Sequence, residues 1–358
     1  MVVLSVPADP MSAPRLILIV PGLFTPPIES DRNLIRLRAP ALQWVVGRGR
    51  VVSHNEDSVE SVVLAVGGQS TQSPPPAGAI CRAFDTGNIS SECCMRADPV
   101  PLRLTRFGLS VDDPRLLALQ PDEIQRLAQA LAPVFESRSL QLETPNSLRW
   151  YVSGEIPGNG HPSSAERSFG DSVDPCPPTS EQRSWWQQLV TETQMALHGS
   201  PVNTEREERG LSVVNNLWYW GSGRFDPASR VDGLSVWGDD AFELGLGRWL
   251  GIPAEPLPDN ASNVLSRASD RSSVLVVDRS YRHAGDSVSA NNWCDRIGRF
   301  ERAWCSPLLA ELRYARLSSL AIIDPGRVQA MIDQTTRKRW WRRPVRVDNL
   351  INQINKSV

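Results

Sequence analysis

The sequence predicts an α/β protein: a parallel sheet layered between helices, with a small α+β unit inserted into it. A continuous apolar run near the start, Leu16-Ile-Leu-Ile-Val20, is closed by Pro21-Gly22. Further apolar runs at 233–237, 273–278 and 317–323 alternate with helical segments at 240–250 and 291–313. Between Asp98 and Val152 the texture changes to short strands around one helix.

Each element follows from its spacing. Leu16–Val20 is apolar at every position, which suits a strand buried on both faces of a parallel sheet. Residues 67–79 form a Gly/Pro/Ser loop. Pro99–Leu104 alternates like a strand, and Pro121–Phe135 repeats Ile124, Leu127, Ala128 and Leu131 at helical spacing. Leu140-Gln-Leu142 and Arg149-Trp-Tyr-Val152 give two more short strands. A second Gly/Ser/Pro-rich loop spans 157–178. Ser180 then opens a helix as N-cap, with Glu181 adding negative charge to its first turn. That helix runs through Trp185, Leu189 and Met195 toward His198. Pro201-Val-Asn203 and a charged turn, Glu205–Arg209, follow, and Gly210 stops the helix. Asn216-Leu-Trp-Tyr-Trp220 is an aromatic strand ending in Gly221-Ser-Gly223. Strands alternating with helices over this length imply three layers. The expected organisation is a first core segment at 12–96, an inserted α+β domain at 97–157, a loop at 158–179 and a second core segment at 180–350.

Composition narrows the function classes. The chain has 358 residues, 41 % hydrophobic and 22 % charged, which fits a globular protein large enough for one α/β domain and an insert. A formal net charge of −2 gives no general reason to expect nucleic acid or an anionic membrane as partner. The apolar run at 16–20 is far shorter than the ~20 residues of a membrane span. It also lacks a signal-peptide cleavage site, so the expected location is cytoplasmic. Six cysteines (Cys81, Cys93, Cys94, Cys176, Cys294, Cys305) show no repeating spacing and are expected as reduced thiols. Cys93-Cys94 has no second ligand pair in sequence to complete a zinc site.

The run LHGSPVNTEREERGLSVVNNLWYWGSG, Leu197–Gly223, resembles the archaeal type of cofactor-independent phosphoglycerate mutases in the alkaline phosphatase superfamily. That pattern is a helix ending in H-P-V-N, a charged turn with R…G, then N-x-[IL]-W-L-W-G-x-G. Here Gly199 and Ser200 separate the histidine from the proline. Pro201, Val202, Asn203, Arg206, Gly210, Asn215 or Asn216, Gly221 and Gly223 match. Ser235–Pro253 is similar to a further strand-to-helix segment of the same family. A second resemblance is to bacterial regulatory proteins of the regulation-of-pathogenicity-factors E type, which look like shortened relatives of these mutases. Met95–Leu102, Arg149-Trp-Tyr151, Asn215–Gly223 and the tail Arg339-Trp-Trp-Arg-Arg-Pro344 carry it. The resemblance implies a three-layer αβα, alkaline-phosphatase-like core with a small inserted α+β domain. It also marks Asn203, Arg206 and Asn216 as candidate ligand-binding residues.

Phosphoryl transfer of this kind needs two divalent ions held by Asp and His, and a Ser or Thr nucleophile bridging them. The family's first strand ends in Asp-Gly, whereas this chain has Pro21-Gly22. Ser70, Thr71 and Ser73, the candidate nucleophiles, sit in a Gln- and Pro-rich loop. The family's D-x-x-G-H becomes Asp278-Arg-Ser-Tyr-Arg-His-Ala-Gly285-Asp286. Its Asp-His pair becomes Asp324-Pro325. Pro21, Asp286 and Pro325 thus stand where chemistry needs Asp, His and His, and no histidine follows His283. The expectation is a chain without catalytic residues, metal or cofactor, acting as a regulator or scaffold. The alternative is a metal-dependent phosphoglycerate mutase or phosphatase whose Asp278, His283, Asp286 and Asp324 hold Mn or Zn in a rearranged site.

Two further features fit a binding role. The tail Arg339, Trp340, Trp341, Arg342, Arg343 interleaves cations and aromatics, which can grip phosphate and stack on bases. In a near-neutral chain it reads first as a surface for another protein. Trp218, Trp220, Trp237, Trp249, Trp293 and Trp304 read as core. The charged turn around Arg206 reads as solvated helix unless a phosphorylated ligand docks there.

Overall fold

The computed structural model describes residues 13–25, 38–56, 58–69, 74–106, 108–161, 163–168, 172–176, 182–226, 231–267, 273–281, 290–339 and 341–345. The chain divides into two compact units, Met1–Thr71 with Ala228–Val358, and Gln72–Pro227. In chain order the first unit opens with β1 (Arg15–Ile19), α1 (Pro40–Arg48), β2 (Arg50–Ser53) and α2 (Val59–Val66). The second unit contains α3 (Ala77–Thr86), β3 (Cys93–Val100), β4 (Leu102–Thr105), β5 (Gly108–Val111) and α4 (Pro121–Glu136). It continues with β6 (Gln141–Glu143), β7 (Tyr151–Ser153), α5 (Arg183–His198), α6 (Pro201–Glu208) and β8 (Asn216–Arg224). The first unit resumes with β9 (Leu234–Trp237), α7 (Ala241–Leu250), β10 (Ala254–Glu255), α8 (Ala261–Arg267) and β11 (Ser273–Val277). It closes with α9 (Ala290–Phe300), α10 (Ser306–Arg313), β12 (Ser319–Asp324) and β13 (Val328–Asp333).

The first unit is built on a seven-stranded sheet of order β10-β9-β11-β1-β12-β13-β2. β1 lies at its centre, parallel to both β11 and β12, as suits its apolar run Leu16–Ile19. Alternate residues serve opposite faces. Leu16, Leu18, Val274, Val276, Leu320 and Ile322 pack with α1, α9 and α10 in one core. Ile17, Ile19, Leu275, Val277, Ala321 and Ile323 are buried outside that cluster, so the opposite face is covered too. α7 packs on β9 and β10 there, which makes three layers. β13 returns antiparallel to β12 and brings in β2, also antiparallel.

Helix α1 begins with Pro40 at its first turn, where a missing N–H costs nothing. Its capping position, Ala39, offers no side-chain acceptor. Glu301 supplies one from afar: its carboxylate accepts from the Ala41 and Leu42 amides at 2.7 and 2.9 Å. A single π-helical stretch, Glu301–Cys305, joins α9 to α10 and holds this residue in place.

The second unit has a four-stranded antiparallel sheet of order β6-β7-β3-β8 and a separate hairpin of β4 and β5. Met95, Ala97, Val152, Leu217 and Tyr219 face α4 and α5 through Leu127, Leu131, Phe135, Trp186 and Leu189. The second unit therefore reaches well beyond the 97–157 insert expected from sequence. The segment 182–226, expected in the core, belongs here, and β8 pairs with β3 rather than with the parallel sheet. Alternation and aromatic content define a strand but not its partner, which explains the misplacement. Ser180 and Glu181 lie outside the described residues, as do Ser70, Thr71 and Ser73.

The glycines of the Trp-Gly-Ser-Gly strand end now have a physical role. A Cβ on Gly221 would lie 2.8 Å from the Ala77 Cβ, and one on Gly223 would lie 2.5 Å from the Pro76 Cβ. The start of α3 therefore rests directly on β8. Gly221 also has φ +66°, which a side chain adopts at a cost. Gly221→Ala is expected to cost about 2–3 kcal/mol by combining backbone strain with a displaced helix. Urea denaturation measures it; a loss below about 0.5 kcal/mol would refute the contact.

Candidate functional site

The family resemblance directs attention to the carboxyl ends of β1, β11 and β12. The Val20 amide donates to the Ile323 carbonyl at 2.8 Å, and the Asp278 amide donates to the Ile19 carbonyl at 2.9 Å. The end of β1 is thereby held between the segments that carry Asp278 and Asp324. Asp324 is 1 % exposed. Its Oδ1 accepts from the Gly22 amide and its Oδ2 from the Phe24 amide, each at 2.8 Å. Gly22 takes φ +83° to present its N–H. Asp324 thus stitches the turn that follows β1, and both oxygens point at backbone donors.

Asp278 is buried, and its Oδ1 accepts from the Ser280 amide at 3.0 Å and from the Ser280 hydroxyl at 2.6 Å. Burial pushes its carboxyl above the usual range. His283 and Asp286, the other members of the rearranged site, lie outside the described residues. Among the described residues no group of three or more His, Cys, Asp or Glu is placed to hold a metal ion. A metal pair of the mutase kind needs carboxylate oxygens with free lone pairs and imidazoles beside them. Of the positions where the resembled family places its ligands, Pro21 and Pro325 offer no side-chain donor, and each oxygen of Asp324 already accepts one backbone amide.

Next to Asp278 stands an unusual charge arrangement that the sequence did not reveal. Arg279 donates to Glu243 of α7 at 2.6 Å and to Glu60 of α2 at 3.0 Å. One guanidinium thus serves two buried carboxylates. The second oxygen of Glu243 has no hydrogen-bond partner among the described residues, and burial pushes its carboxyl up to about 8. Nothing in the spacing of residues 60, 243 and 279 announces this cluster, because three separate elements supply it.

A cavity of about 1010 Å³ opens beside these strand ends, lined by Asp239, Asp278, Ser280, Arg296, Arg299 and Arg302 among others. The carboxyl edge of a parallel sheet is where open α/β folds bind ligands. In sequence the arginines stand at every third position of Arg296-Ile-Gly-Arg299-Phe-Glu-Arg302, a spacing that carries no metal-ligating residue type.

The other sequence candidates belong to the second unit and to the tail. Asn203 donates to the carbonyls of Leu197 and Val214 at 2.8 and 2.6 Å and accepts from the Val214 amide at 3.1 Å. It pins the end of α5 to the entry of β8. Arg206 is 1 % exposed rather than solvated. It reaches both oxygens of Glu123 at 2.9 and 2.8 Å, the Ser212 carbonyl at 2.8 Å and the Leu117 carbonyl. Asn216, fully buried, accepts from Gln194 at 3.2 Å and donates to the Leu217 carbonyl at 3.1 Å. These three side chains hold the signature run together and present no open group to a ligand.

Trp218 and Trp220 are core residues with polar tips engaged. Trp218 stacks on His161 with ring centroids 3.7 Å apart and donates to the Ser163 carbonyl at 3.0 Å. Trp220 donates to Asp98 at 2.7 Å, and Asp98 pairs with the buried Arg96. All six cysteines are free. In the tail, Trp340 lies outside the described residues, and Trp341 is 64 % exposed. Arg342 and Arg343 are also exposed, with Arg342 donating to the Gly49 carbonyl at 3.3 Å. A Cβ on Gly47 would fall 2.4 Å from the Arg343 carbonyl oxygen, so the tail backbone, Arg339 leading into it, runs across α1.

The fold defines an α/β protein with a three-layer parallel-sheet unit and a second α+β unit. Its architecture is similar to that of the PH0037 protein from Pyrococcus horikoshii, with a TM-score of 0.51 and 13 % identity over 90 % of this chain and 87 % of that one. A cofactor-independent phosphoglycerate mutase from Thermoplasma acidophilum DSM 1728 aligns over 96 % of this chain and 99 % of its own, at 15 % identity and a TM-score of 0.47. No family model matches the chain and no curated protein does. Among the described residues no helix is long and apolar enough to cross a membrane.

Proposed function

We propose that this chain is a phosphoglycerate-mutase-like protein that acts by binding, as a regulator or scaffold of the regulation-of-pathogenicity-factors E type, with another protein as partner. The observation that carries the reading is Asp324. In a working site of the resembled family the carboxylate at the end of that strand holds metal; here both its oxygens accept from the turn after β1. Pro21, in that same turn, replaces the other expected carboxylate. The resemblance of Leu197–Gly223 supports descent from such enzymes. Its matched residues Asn203, Arg206, Gly221 and Gly223 have structural employment that does not require turnover. The exposed Trp341, Arg342 and Arg343 support a partner-binding surface on the tail.

The test is metal content of the purified full chain, followed by hydrolysis of p-nitrophenyl phosphate and phosphoglycerate mutase assays with added Mn²⁺ or Zn²⁺. The expected result is no stoichiometric metal and no metal-dependent turnover. One or two ions per chain, or turnover abolished by Asp278→Asn, would overturn the reading in favour of a rearranged site. A partner captured by the intact chain and lost on combining Trp341→Ala with Arg342→Ala and Arg343→Ala supports the binding half.

A further inference from the structure

The cavity at the carboxyl ends of β9 and β11 has two chemically different walls. Arg296, Arg299 and Arg302 form one, on α9 and the π-helical stretch that continues it. Residues three apart lie on one flank of a helix, so the three guanidinium groups come from successive turns. Arg299 and Arg302 are exposed and make no ion pair among the described residues. Arg296 leans on the Tyr281 ring at 5.3 Å and donates to the Ser280 carbonyl, which fixes the inner end of this wall.

Asp239, Asp259 and Asp278 supply the opposite chemistry from the strand ends and the loop before α8. Asp239 uses Oδ1 to accept from the Leu257 amide at 2.9 Å, and Asp278 uses Oδ1 for Ser280. Their Oδ2 atoms and the exposed Asp259 are left as acceptors among the described residues. Three cations and three carboxylates balance, so the site does not attract anions merely by net charge. Guanidinium groups match phosphate oxygens in geometry. Ionised carboxylates only accept hydrogen bonds, which makes them partners for hydroxyls and poor partners for another anion. The leucine, proline and tryptophan edges of the cavity, Leu257, Pro258 and Trp304, add apolar walls of the kind that small-molecule sites use.

We propose that this cavity binds the phosphate ester of an otherwise uncharged polyol, with the arginines on the phosphate and the aspartates on the hydroxyls. The proposal goes beyond the binding role above and is separable from it: failure of the tail to capture a protein partner would overturn that role and leave this site standing. The ligand class also differs from a phosphoglycerate, whose carboxylate would meet the aspartate wall.

Calorimetric titration of the full chain with glucose 6-phosphate, inorganic phosphate, glucose and 3-phosphoglycerate tests it. Glucose 6-phosphate is expected to bind at least about tenfold more tightly than any of the other three, because only it engages both walls. Arg299→Gln combined with Arg302→Gln, both exposed and so compatible with folding, is expected to weaken glucose 6-phosphate at least about tenfold. Asp259→Asn is expected to weaken glucose 6-phosphate while leaving inorganic phosphate unchanged. Unaltered circular dichroism and thermal midpoint confirm that each variant is folded. Absence of glucose 6-phosphate binding at millimolar concentration overturns the proposal. So does binding insensitive to the arginine substitutions, or equal affinity for inorganic phosphate or 3-phosphoglycerate.

Discussion

Arg206→Leu is expected to destabilise the second unit by about 3–5 kcal/mol, since it leaves the buried Glu123 carboxylate with only the exposed Arg209, 3.9 Å away, as a cation partner. Glu123, the partner left behind, is itself buried and already serves as a capping residue: its Oε2 accepts from the Gln120 amide at 2.9 Å at the start of α4. The substitution also takes a donor from the carbonyl of the buried Leu117, while that of the exposed Ser212 can turn to water. Urea denaturation, followed by a signal from the second unit, reads the loss. Combining Arg206→Leu with Glu123→Gln removes the poorly compensated charge, and should recover a large part of the stability while leaving the Leu117 carbonyl without this donor. The pair of measurements separates a buried ion pair from a ligand-binding arginine. Were Arg206 a ligand group held open to solvent, its loss would cost below about 1 kcal/mol and the double variant would recover nothing.

The sequence reads the turn around Arg206 as solvated helix, whereas the side chain is buried. Val202, Asn203 and Arg206 occupy one helical flank, and all three are buried. The surrounding Glu205, Glu207 and Glu208 suggested a solvated turn because a run of charges carries no information about which member turns inward. The parallel sheet was legible for a stronger reason: Leu16–Val20 is apolar at both parities, and only a strand covered on both faces tolerates that. Asp324 could be read as the carboxylate at a strand end. Its use could not, because the donors that claim it, Gly22 and Phe24, lie some three hundred positions away. The same holds for Glu60, Glu243 and Arg279, which meet only through the fold. Local periodicity reports the elements; groups joined across the sheet appear only when topology brings the strands together.

The two units are expected to respond to pH in opposite directions. In the second unit His161 is stacked on Trp218 and hydrogen-bonded to the Pro175 carbonyl at 3.2 Å. Burial lowers its imidazole from an ordinary 6.5 to about 4. Between those values the unfolded chain binds a proton that the folded chain refuses. The contribution is therefore fully present above pH 6.5 and is lost as pH falls toward 4, an effect of about 3 kcal/mol at most. In the first unit Glu243 runs the other way. Burial is the main cause of its rise from 4.5 to about 8, and Asp240 and Glu60 add to it, against the opposing pull of Arg279. The folded state now holds the proton that the unfolded chain releases, so its contribution is present below pH 4.5 and is lost as pH rises to about 8. The arithmetic bound is about 5 kcal/mol, and relaxation around the free Oε2 reduces it. Hydrogen exchange of the full chain, corrected for intrinsic rates, resolves the two units by peptide. Acidification from pH 7 to 4.5 should loosen peptides covering 151–153 and 216–224, and His161→Phe should remove that sensitivity. Raising pH from 5 to 8.5 should loosen peptides covering 234–250, and Glu243→Gln should abolish the trend, because its amide keeps an acceptor for Arg279 and has no proton to lose. If both units shifted in the same direction, or if the Glu243→Gln profile kept its slope, one guanidinium shared between two buried carboxylates would be the wrong description of the ground beside Asp278.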